Sequence, residues 1–204
     1  MSMRRTFSVS AFLVIALACT RPAFAIDSAA GVIDDLASRA KEMQSAAALT
    51  PEDQQRRFRA LLVEDFDFGA ISRLVLGRFW EAASPLERQQ FTVAFQNYIV
   101  RVYAERFKDI GGARLKVTHE RRETADSTLV TTDMVSEDGA PPLKIDWRLG
   151  RTGEGYKIID VSVEGVSMTL AQREEFSSVI QRNGGQVSGL IQTLRAKTAT
   201  AAAQ

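Results

Sequence analysis

The sequence predicts an α+β fold in which helices cover one face of a curved antiparallel sheet, and two observations support this prediction. Apolar residues recur every three or four positions in the first half of the chain and again near its end, which is the period of an amphipathic helix. Between residues 113 and 164 the period changes to two, the pattern of strands that bury one face. Because a half-apolar sheet must be covered, the helices are expected to pack on it as one layered domain.

Spacing and capping residues predict three helices before residue 80. The first carries apolar residues at intervals of three and four: Ile33, Leu36, Ala40 and Met43. Thr50-Pro51-Glu52-Asp53 combines a hydroxyl cap, a proline and an acid, which is a helix start signal. The apolar face of that second helix contains Phe58, Leu61, Leu62 and Phe66. Asp67 can cap a third helix, which carries Ile71, Leu74 and Val75 and is interrupted at Gly77.

The longest predicted helix begins at Ser84-Pro85, which repeats the start signal, and ends at Gly111-Gly112. Its apolar stripe is wide and aromatic: Phe91, Phe95, Tyr98, Ile99, Val102, Tyr103 and Phe107. After the sheet, Thr169-Leu170-Ala171-Gln172 predicts a capping box for a helix with Phe176, Val179 and Ile180 inward. A last helix carries Val187, Leu190, Ile191 and Leu194, and the Ala/Thr-rich tail from Lys197 is expected to fray.

Four alternating runs, separated by turn-forming residues at 137–139 and 150–153, predict an antiparallel meander of about four strands. The inward positions are Leu115, Val117, Val130, Thr132, Met134, Leu143, Ile145, Trp147, Leu149, Ile159, Val161 and Val163. The same alternation places Asp146 and Asp160 on the solvated face.

Residues 1–25 are predicted to be a secretory signal peptide. Arginines precede an apolar run, and Ala23 and Ala25 provide the small side chains that a signal peptidase requires. The run is shorter than the roughly 20 residues that span a bilayer. A lipoprotein anchor at Cys19 is the competing interpretation, although the residues before it fit a lipobox poorly. Cleavage after Ala25 would leave residues 26–204 as a single exported domain.

Charge and cysteine content limit the possible partners and the means of stabilisation. The chain has 26 basic and 25 acidic residues, and three arginines lie in the predicted signal peptide. The mature domain therefore has 23 basic and 25 acidic residues. This balance argues against nucleic acid as a partner, since its binding requires clustered positive charge. Cleavage would also remove the one cysteine, so the domain must be stable without a disulfide.

Few residues offer catalytic chemistry. His119 is the single histidine, and without a second His or a Cys it lacks the partners of a metal site, so it is interpreted as a solvated strand residue. Asp65 and Asp67 flank Phe66 and could form an acid–base pair, but helix-end carboxylates explain them more simply. Nucleotide-binding and nucleophile motifs are absent from the sequence. The sequence therefore predicts no catalytic residue, no metal and no cofactor.

Two further polar sets have two interpretations each. Arg56, Arg57 and Arg59 form either a site for an anionic headgroup or a solvated helix face balanced by nearby acids. Tyr98 and Tyr103 either belong to the core, with hydroxyls at its rim, or line a ligand entrance.

Large apolar residues are in excess where the long helix is expected to meet the sheet. The set comprises Phe91, Phe95, Tyr98, Ile99 and Phe107 on the helix, and Val130, Ile145, Trp147, Val161 and Val163 on the sheet. A filled core explains this pattern, and so does a cavity between the two layers. Periodicity leaves both open, because volume is not visible in a sequence.

Several motifs occur together from about residue 33 to residue 195. They are 74–80 (LVLGRFW), Ser84-Pro85 with Phe91 and Phe95, Pro141-Pro142, 164–168 (EGVSM), Gly184-Gly185 and Gly189-Leu190. In this combination the chain resembles the MlaC / toluene-tolerance family of periplasmic lipid-carrying proteins. The resemblance implies an NTF2-like fold with a deep apolar pocket for acyl chains. It also implies transport of phospholipid between an outer-membrane lipoprotein–porin complex and an inner-membrane ABC transporter.

Segment 183–189 is one residue longer than the common spacing of that family and has Ser188 where an acid is frequent. These features resemble a subgroup associated with hopanoid biosynthesis, so the expected cargo is a phospholipid or a hopanoid-type lipid. The carrier is expected to be a monomer without enzymatic activity. Its lining is predicted to come from Leu74, Phe95, Ile99, Tyr103, Ile145, Trp147, Val161, Val163 and Phe176.

Two alternative functions remain at this point. An NTF2-like isomerase or hydrolase would need a buried carboxylate, Asp146 or Asp160, that faces Tyr98. An envelope adaptor would bind proteins and no lipid.

Overall fold

A computed structural model describes residues 28–45, 50–109, 113–137, 139–153 and 155–200. The helices in these ranges are α1 Ala29–Ser45, α2 Pro51–Asp65, α3 Phe68–Leu76, α4 Arg78–Ala82, α5 Pro85–Asp109, α6 Met168–Arg182 and α7 Val187–Thr200. The strands are β1 Arg114–Arg122, β2 Ser127–Val135, β3 Leu143–Thr152, β4 Gly155–Val163 and β5 Val166–Ser167. The predicted signal peptide and the predicted helix end at Gly111-Gly112 lie outside the described residues. None of the helices described is long and apolar enough to cross a membrane.

The predicted starts of three helices are confirmed by their capping hydrogen bonds. The Thr50 hydroxyl and the Asp67 carboxylate each accept a bond from the amide three residues later, at 3.1 and 2.8 Å. Ser84 and Glu87 form the reciprocal capping box, in which the Ser84 amide donates to the Glu87 carboxylate at 2.9 Å. The Glu87 amide donates back to the Ser84 hydroxyl at 3.2 Å. Local chemistry therefore sets these boundaries, as the sequence indicates.

Three helix boundaries differ from the prediction. α6 begins at Met168, ahead of the predicted capping box, because the Ser167 hydroxyl accepts the bond from the Leu170 amide at 3.1 Å. α7 continues through Thr200, so the prediction that the chain frays from Lys197 is wrong over this stretch. The unpredicted short helix α4 follows Gly77, whose φ of +52° breaks the helical path.

The sheet is a simple antiparallel meander with strand order β1-β2-β3-β4-β5. The fifth strand was not predicted, because it is only two residues long. It pairs with β4 through a hairpin whose two central residues, Glu164 and Gly165, have φ of +49° and +80°. Positive φ at both central positions is the geometry of a type I′ turn, one of the two turns that commonly close a two-residue hairpin.

A bulge in β4 changes two predictions about which residues are buried. Arg148 pairs with Asp160 and Leu149 with Ile158, so Ile159 is an extra residue between the paired positions. Ile158 is consequently fully buried, where the strict alternation had placed Ile159 inward. Asp160 is 6% exposed and does not lie on a solvated face, because the β5–α6 connection folds over it.

Two main groups of buried residues flank the centre of the molecule. The helical core joins α3, α5, α6 and α7 and contains Ile71, Val75, Leu76, Phe91, Phe95, Phe176, Ile180, Leu190 and Leu194, among others. The sheet core joins α1 and α2 to the strands and contains Ile33, Leu36, Leu61, Val130, Ile145, Trp147, Leu149 and Ile158. The expectation that the aromatic stripe of α5 covers the sheet is wrong for Phe91, which lies in the helical core. α1 lies across the sheet instead, in contact with β1, β2 and β4.

Candidate functional site

A cavity of about 730 Å³ lies between the helical core and the sheet core. α3 contributes Ile71 and Val75 to its wall, and α5 contributes Phe95, Ile99 and Tyr103. The sheet contributes Leu115, Met134, Ile145, Trp147, Val161 and Val163. Volumes of 300–1,000 Å³ with a mostly apolar lining are typical of sites that bind small molecules. The two layers of the fold therefore do not close on each other completely.

Seven of the nine residues predicted to line a cavity lie on this wall: Phe95, Ile99, Tyr103, Ile145, Trp147, Val161 and Val163. Leu74 does not, because its side chain is on the solvent side of α3 and is 43% exposed. Phe176 does not either, because α6 directs it into the helical core. There its ring lies 6.0 Å from that of Phe91 and 5.7 Å from that of Phe95.

Sequence reasoning missed the contribution of α1 and α2 to the cavity. Residues of these helices and of the segment that follows α2 line it: Leu36, Ala37, Ala40, Phe58, Leu61, Leu62 and Phe66. The apolar stripe of each helix was visible in the sequence, but a stripe does not say whether it faces protein or empty space. Ala37 and Ala40 were the informative signal, since small residues on an otherwise large apolar stripe leave volume unfilled.

Polar groups lie at two edges of the cavity. One edge joins the second half of α1 to the start of β1 and contains Ser38, Lys41, Gln44 and Arg114. Lys41 and Arg114 are exposed there. The other edge joins β4 to α6 and contains Asp160, Thr169 and Gln172. The interior between these edges is almost entirely apolar.

Comparison with known proteins agrees with this architecture. Residues 30–196 match the family model described as MlaC protein. The chain belongs to the MlaC family. A relative from Haemophilus influenzae, the intermembrane phospholipid transport system binding protein MlaC, is 25% identical over 185 residues. That similarity covers 88% of this chain and 85% of the relative.

A solved structure with a similar fold is the phospholipid-binding protein of Ralstonia solanacearum, determined in complex with a phospholipid. Its TM-score to this chain is 0.70, with 23% sequence identity. The match covers 84% of this chain and 94% of the Ralstonia chain. At this level of identity the likeness establishes the shared fold of the two proteins.

The carboxylates considered for catalysis have structural partners in this MlaC family member. Asp160 accepts hydrogen bonds from the Ser167 hydroxyl at 2.7 Å and from the Val161 and Thr169 amides at 2.9 and 3.1 Å. Asp146 accepts one from Thr131 at 2.6 Å. Tyr98 packs against Phe176 in the helical core, with ring centroids 6.3 Å apart. Asp160 and Asp146 are therefore engaged in structural hydrogen bonds, and Tyr98 packs against the helical core.

The other polar candidates lie away from the cavity. His119 is exposed on β1, and the residues described contain no cluster of three or more His, Cys, Asp or Glu that could hold a metal. Arg56, Arg57 and Arg59 are not on the cavity wall, and Arg56 pairs with Asp53. The interpretation of this basic run as a helix face outside the site accounts for both observations.

A charged network connects α1 to the end of α2 beside the cavity. Arg39 of α1 bonds to Asp35 at 2.7 Å, to Glu64 at 3.0 Å and to the buried Asp65. Burial raises the pKa of the Asp65 carboxyl above its ordinary value, although the Arg39 guanidinium opposes this shift. The Arg39 network thus links α1 to α2, and in doing so it buries the Asp65 carboxylate, which loses contact with water.

Proposed function

We propose that this protein is a non-enzymatic carrier that holds the acyl chains of a lipid in its cavity and moves that lipid between membranes. The observation that carries the proposal is the apolar cavity of about 730 Å³, which the two cores leave open. At the roughly 30 Å³ that a water molecule occupies in the liquid, this space accommodates about 25 non-hydrogen atoms. That is enough for one long acyl chain and part of a second.

The energetics of lipid transfer explain why such a cavity is needed. A diacyl lipid has about 30 methylenes, and exposing each to water costs about 0.8 kcal/mol, so full exposure costs on the order of 24 kcal/mol. A carrier must replace most of that burial with its own apolar wall. It must also bind no more tightly than a membrane does, or the lipid would not be released. An apolar interior with polar groups confined to the edges satisfies both requirements.

The proposed location is the periplasm, with residues 1–25 as the export signal and residues 26–204 as a single lipid-binding domain. The proposed route connects an outer-membrane lipoprotein–porin complex with an inner-membrane ABC transporter, and the carrier travels as a monomer. The name of the Haemophilus relative supports transport of a phospholipid between membranes. A hopanoid-type lipid is the other candidate cargo.

Substitution of a wall residue tests the proposal. Val163 lines the cavity and lies next to Ile145 on β3 and Val166 on β5. In Val163→Arg a guanidinium would project among acyl chains, so we expect lipid to disappear from organic extracts of the purified protein, as measured by mass spectrometry. The matched control is Ser162→Arg, because Ser162 is the adjacent residue and its side chain points to the opposite face of β4.

The control variant should retain lipid, and circular dichroism should show that both variants are folded. Two results would contradict the proposal: wild-type protein that contains no lipid, or folded Val163→Arg protein that retains as much lipid as the wild type.

A further inference from the structure

We propose that Phe66 and Phe68 are specificity-determining residues, which limit the length of the acyl chains that the cavity accepts. The two rings form the wall at which the cavity ends beside the α2–α3 connection, and a second, open groove lies behind them. The proposal rests on the proposed carrier function and deepens it, because it assigns the residues that select among lipids with the same headgroup.

The two rings separate two spaces. Phe66 and Phe68 lie on the wall of the main cavity and also on the wall of a surface groove of about 630 Å³. Among the described residues, no other belongs to both walls. The rest of the groove comes from α2, the α2–α3 connection, α5 and the β3–β4 hairpin: Val63, Asp67, Gln96, Thr152, Gly153 and Lys157. Val63 is 48% exposed, so this groove is open to water.

Hydrogen bonds hold the backbone of the two rings in place. The Phe66 amide donates to the Leu62 carbonyl of α2, and the Asp67 amide donates to the Ile158 carbonyl of β4, both at 3.0 Å. The Asp67 carboxylate caps α3 directly after the ring of Phe66. The backbone between the rings is thus tied to α2, β4 and α3, so the pair is a fixed part of the wall.

The rings also hold each other and a neighbour on α5. The centroids of Phe66 and Phe68 are 6.4 Å apart, and Phe68 meets Phe95 edge-on at 6.2 Å. Both rings are nevertheless only half-buried, because each has the cavity on one side and the groove on the other. An acyl chain that reaches this wall therefore stops at a thin aromatic layer with free space beyond it.

Space in the cavity is limiting for a diacyl lipid. The cavity accommodates about 25 non-hydrogen atoms, fewer than the roughly 30 methylenes of such a lipid. Each methylene that the wall does not cover stays in water and lowers the affinity about fourfold. The position of the wall at the end of the cavity consequently decides which chain lengths bind well.

A competition between chain lengths tests the role of the two rings. Delipidated mature protein is equilibrated with vesicles that contain equal amounts of dimyristoleoyl and dioleoyl phosphatidylglycerol, and the bound lipids are quantified by native mass spectrometry. The longer lipid leaves more methylenes uncovered, so we expect wild-type protein to bind it at least about tenfold less than the shorter one. Phe68→Ala should reduce this discrimination to about threefold or less, because the longer chains continue into the groove.

Phe58→Ala is the matched control. Phe58 lies on the cavity wall but does not border the groove. Its removal adds the volume of one ring and no exit, so it should relax the discrimination less than Phe68→Ala does. Phe68→Leu retains more of the packing around α3, and it should shift the discrimination in the same direction as Phe68→Ala by a smaller factor.

A reporter in the groove follows the path of the chain directly. Residues 26–204 contain no cysteine, so Val63→Cys provides a single thiol for a bimane label. A phosphatidylglycerol with a nitroxide at the end of an acyl chain should quench this label in Val63→Cys/Phe68→Ala and leave it bright in Val63→Cys. Leu86→Cys, exposed on α5 and off both walls, should stay bright with either residue at position 68.

The outcomes separate the role of the rings from the carrier function. Wild-type protein that takes up neither lipid would contradict the carrier function itself. Uptake of both lipids in the ratio supplied, or equal relaxation by Phe58→Ala and Phe68→Ala, would overturn the role of the rings and leave the carrier function intact. Quenching at residue 63 with Phe68 in place would show that the rings do not stop the chain. A bright label in folded, lipid-loaded Val63→Cys/Phe68→Ala would show that the groove does not continue the path of the chain.

Discussion

The helical core and the cavity are built from similar residues, yet one is solid and the other is empty. In the helical core, Phe91 and Phe95 stack with ring centroids 5.6 Å apart. Phe176 meets both rings edge-on, at interplanar angles of 90° and 85°. Rings in stacked and edge-on arrangements fill the spaces between helices efficiently. Around the cavity, large side chains such as Trp147 and Ile99 line open space instead of packing against further rings.

The residues of α1 explain much of this difference. Its first half has large buried side chains, Val32, Ile33 and Leu36, which hold that part of the helix in the sheet core. Its second half presents Ala37 and Ala40 to the cavity. Beside these two small residues α1 leaves space for the cavity, although its last turns pack again through the buried Met43. Whether the space between two layers is filled thus depends on residue size at a few facing positions. The helical core and the cavity wall are otherwise both built from apolar side chains.

The largest effect should come from removing a ring from the solid region. Phe176→Ala should lower the free energy of unfolding by about 3–5 kcal/mol, because the neighbouring rings cannot close the space that is left. Val161→Ala, on the cavity wall, should cost only about 1 kcal/mol, because it enlarges a space that is already open. Urea denaturation of the two variants measures both values. Equal losses would mean that the cavity wall is packed as tightly as the helical core.

Adding volume should give the same contrast between the packed region and the cavity wall, with a smaller effect. Gly77 has φ of +52°, and a methyl group at this position would lie 2.5 Å from the Arg173 guanidinium. Gly77→Ala should therefore lower the free energy of unfolding by about 2 kcal/mol, from backbone strain and from displacement of Arg173. Ala37→Leu adds three carbons to the cavity wall and should change stability by less than about 1 kcal/mol while reducing the lipid bound.

Thermal unfolding and lipid extraction measure the two outcomes of this second comparison. Strong destabilisation by Ala37→Leu would indicate that α1 lies closer to the sheet than the cavity requires. Full retention of lipid by a stable Ala37→Leu variant would show that the bound chains do not use the space beside Ala37.

The sequence predicted the local parts of this fold well, because the signals for them are local. Thr50, Asp67 and Ser84 begin their helices as predicted, since a cap needs only an amide three residues away. The alternation of the strands likewise identified Ile145, Trp147, Val161 and Val163 as residues of one face, and all four lie on the cavity wall. Short-range hydrogen bonds and the pleat of a strand are properties of adjacent residues, which a sequence displays directly.

The errors concern contacts between residues distant in the chain. The burial of Asp160 depends on the bulge at Ile159 and on a hydroxyl from Ser167, and neither is visible in an alternating pattern. The spacing of apolar residues places Phe176 on the inward face of its helix, but it does not say which element that face contacts. Phe176 was therefore wrongly assigned to the cavity. For the same reason the sequence did not show that α1 covers the sheet, where α5 was expected. Helix pairing depends on side-chain shape at the interface, which periodicity does not specify.

The smallest predicted effect concerns the Arg39 network, which holds α1 beside the cavity. Burial raises the pKa of Asp65 in the folded protein above the value of about 3.9 in an unfolded chain. Between these two pKa values the folded state binds more protons than the unfolded state, so stability falls as the pH rises through this range. Asp65→Asn cannot titrate at this position. The free energy of unfolding of the wild type, relative to this variant, should therefore decline as the pH rises, by at most about 1.4 kcal/mol per pH unit. Urea denaturation between about pH 3.5 and pH 7 measures the decline.

Repeating the comparison in an Arg39→Gln background should extend the decline to higher pH, because the guanidinium that opposes the rise in the Asp65 pKa is gone. A relative stability that instead rises with pH would show that attraction to Arg39 outweighs burial, and α1 would then be held more firmly when Asp65 is ionised.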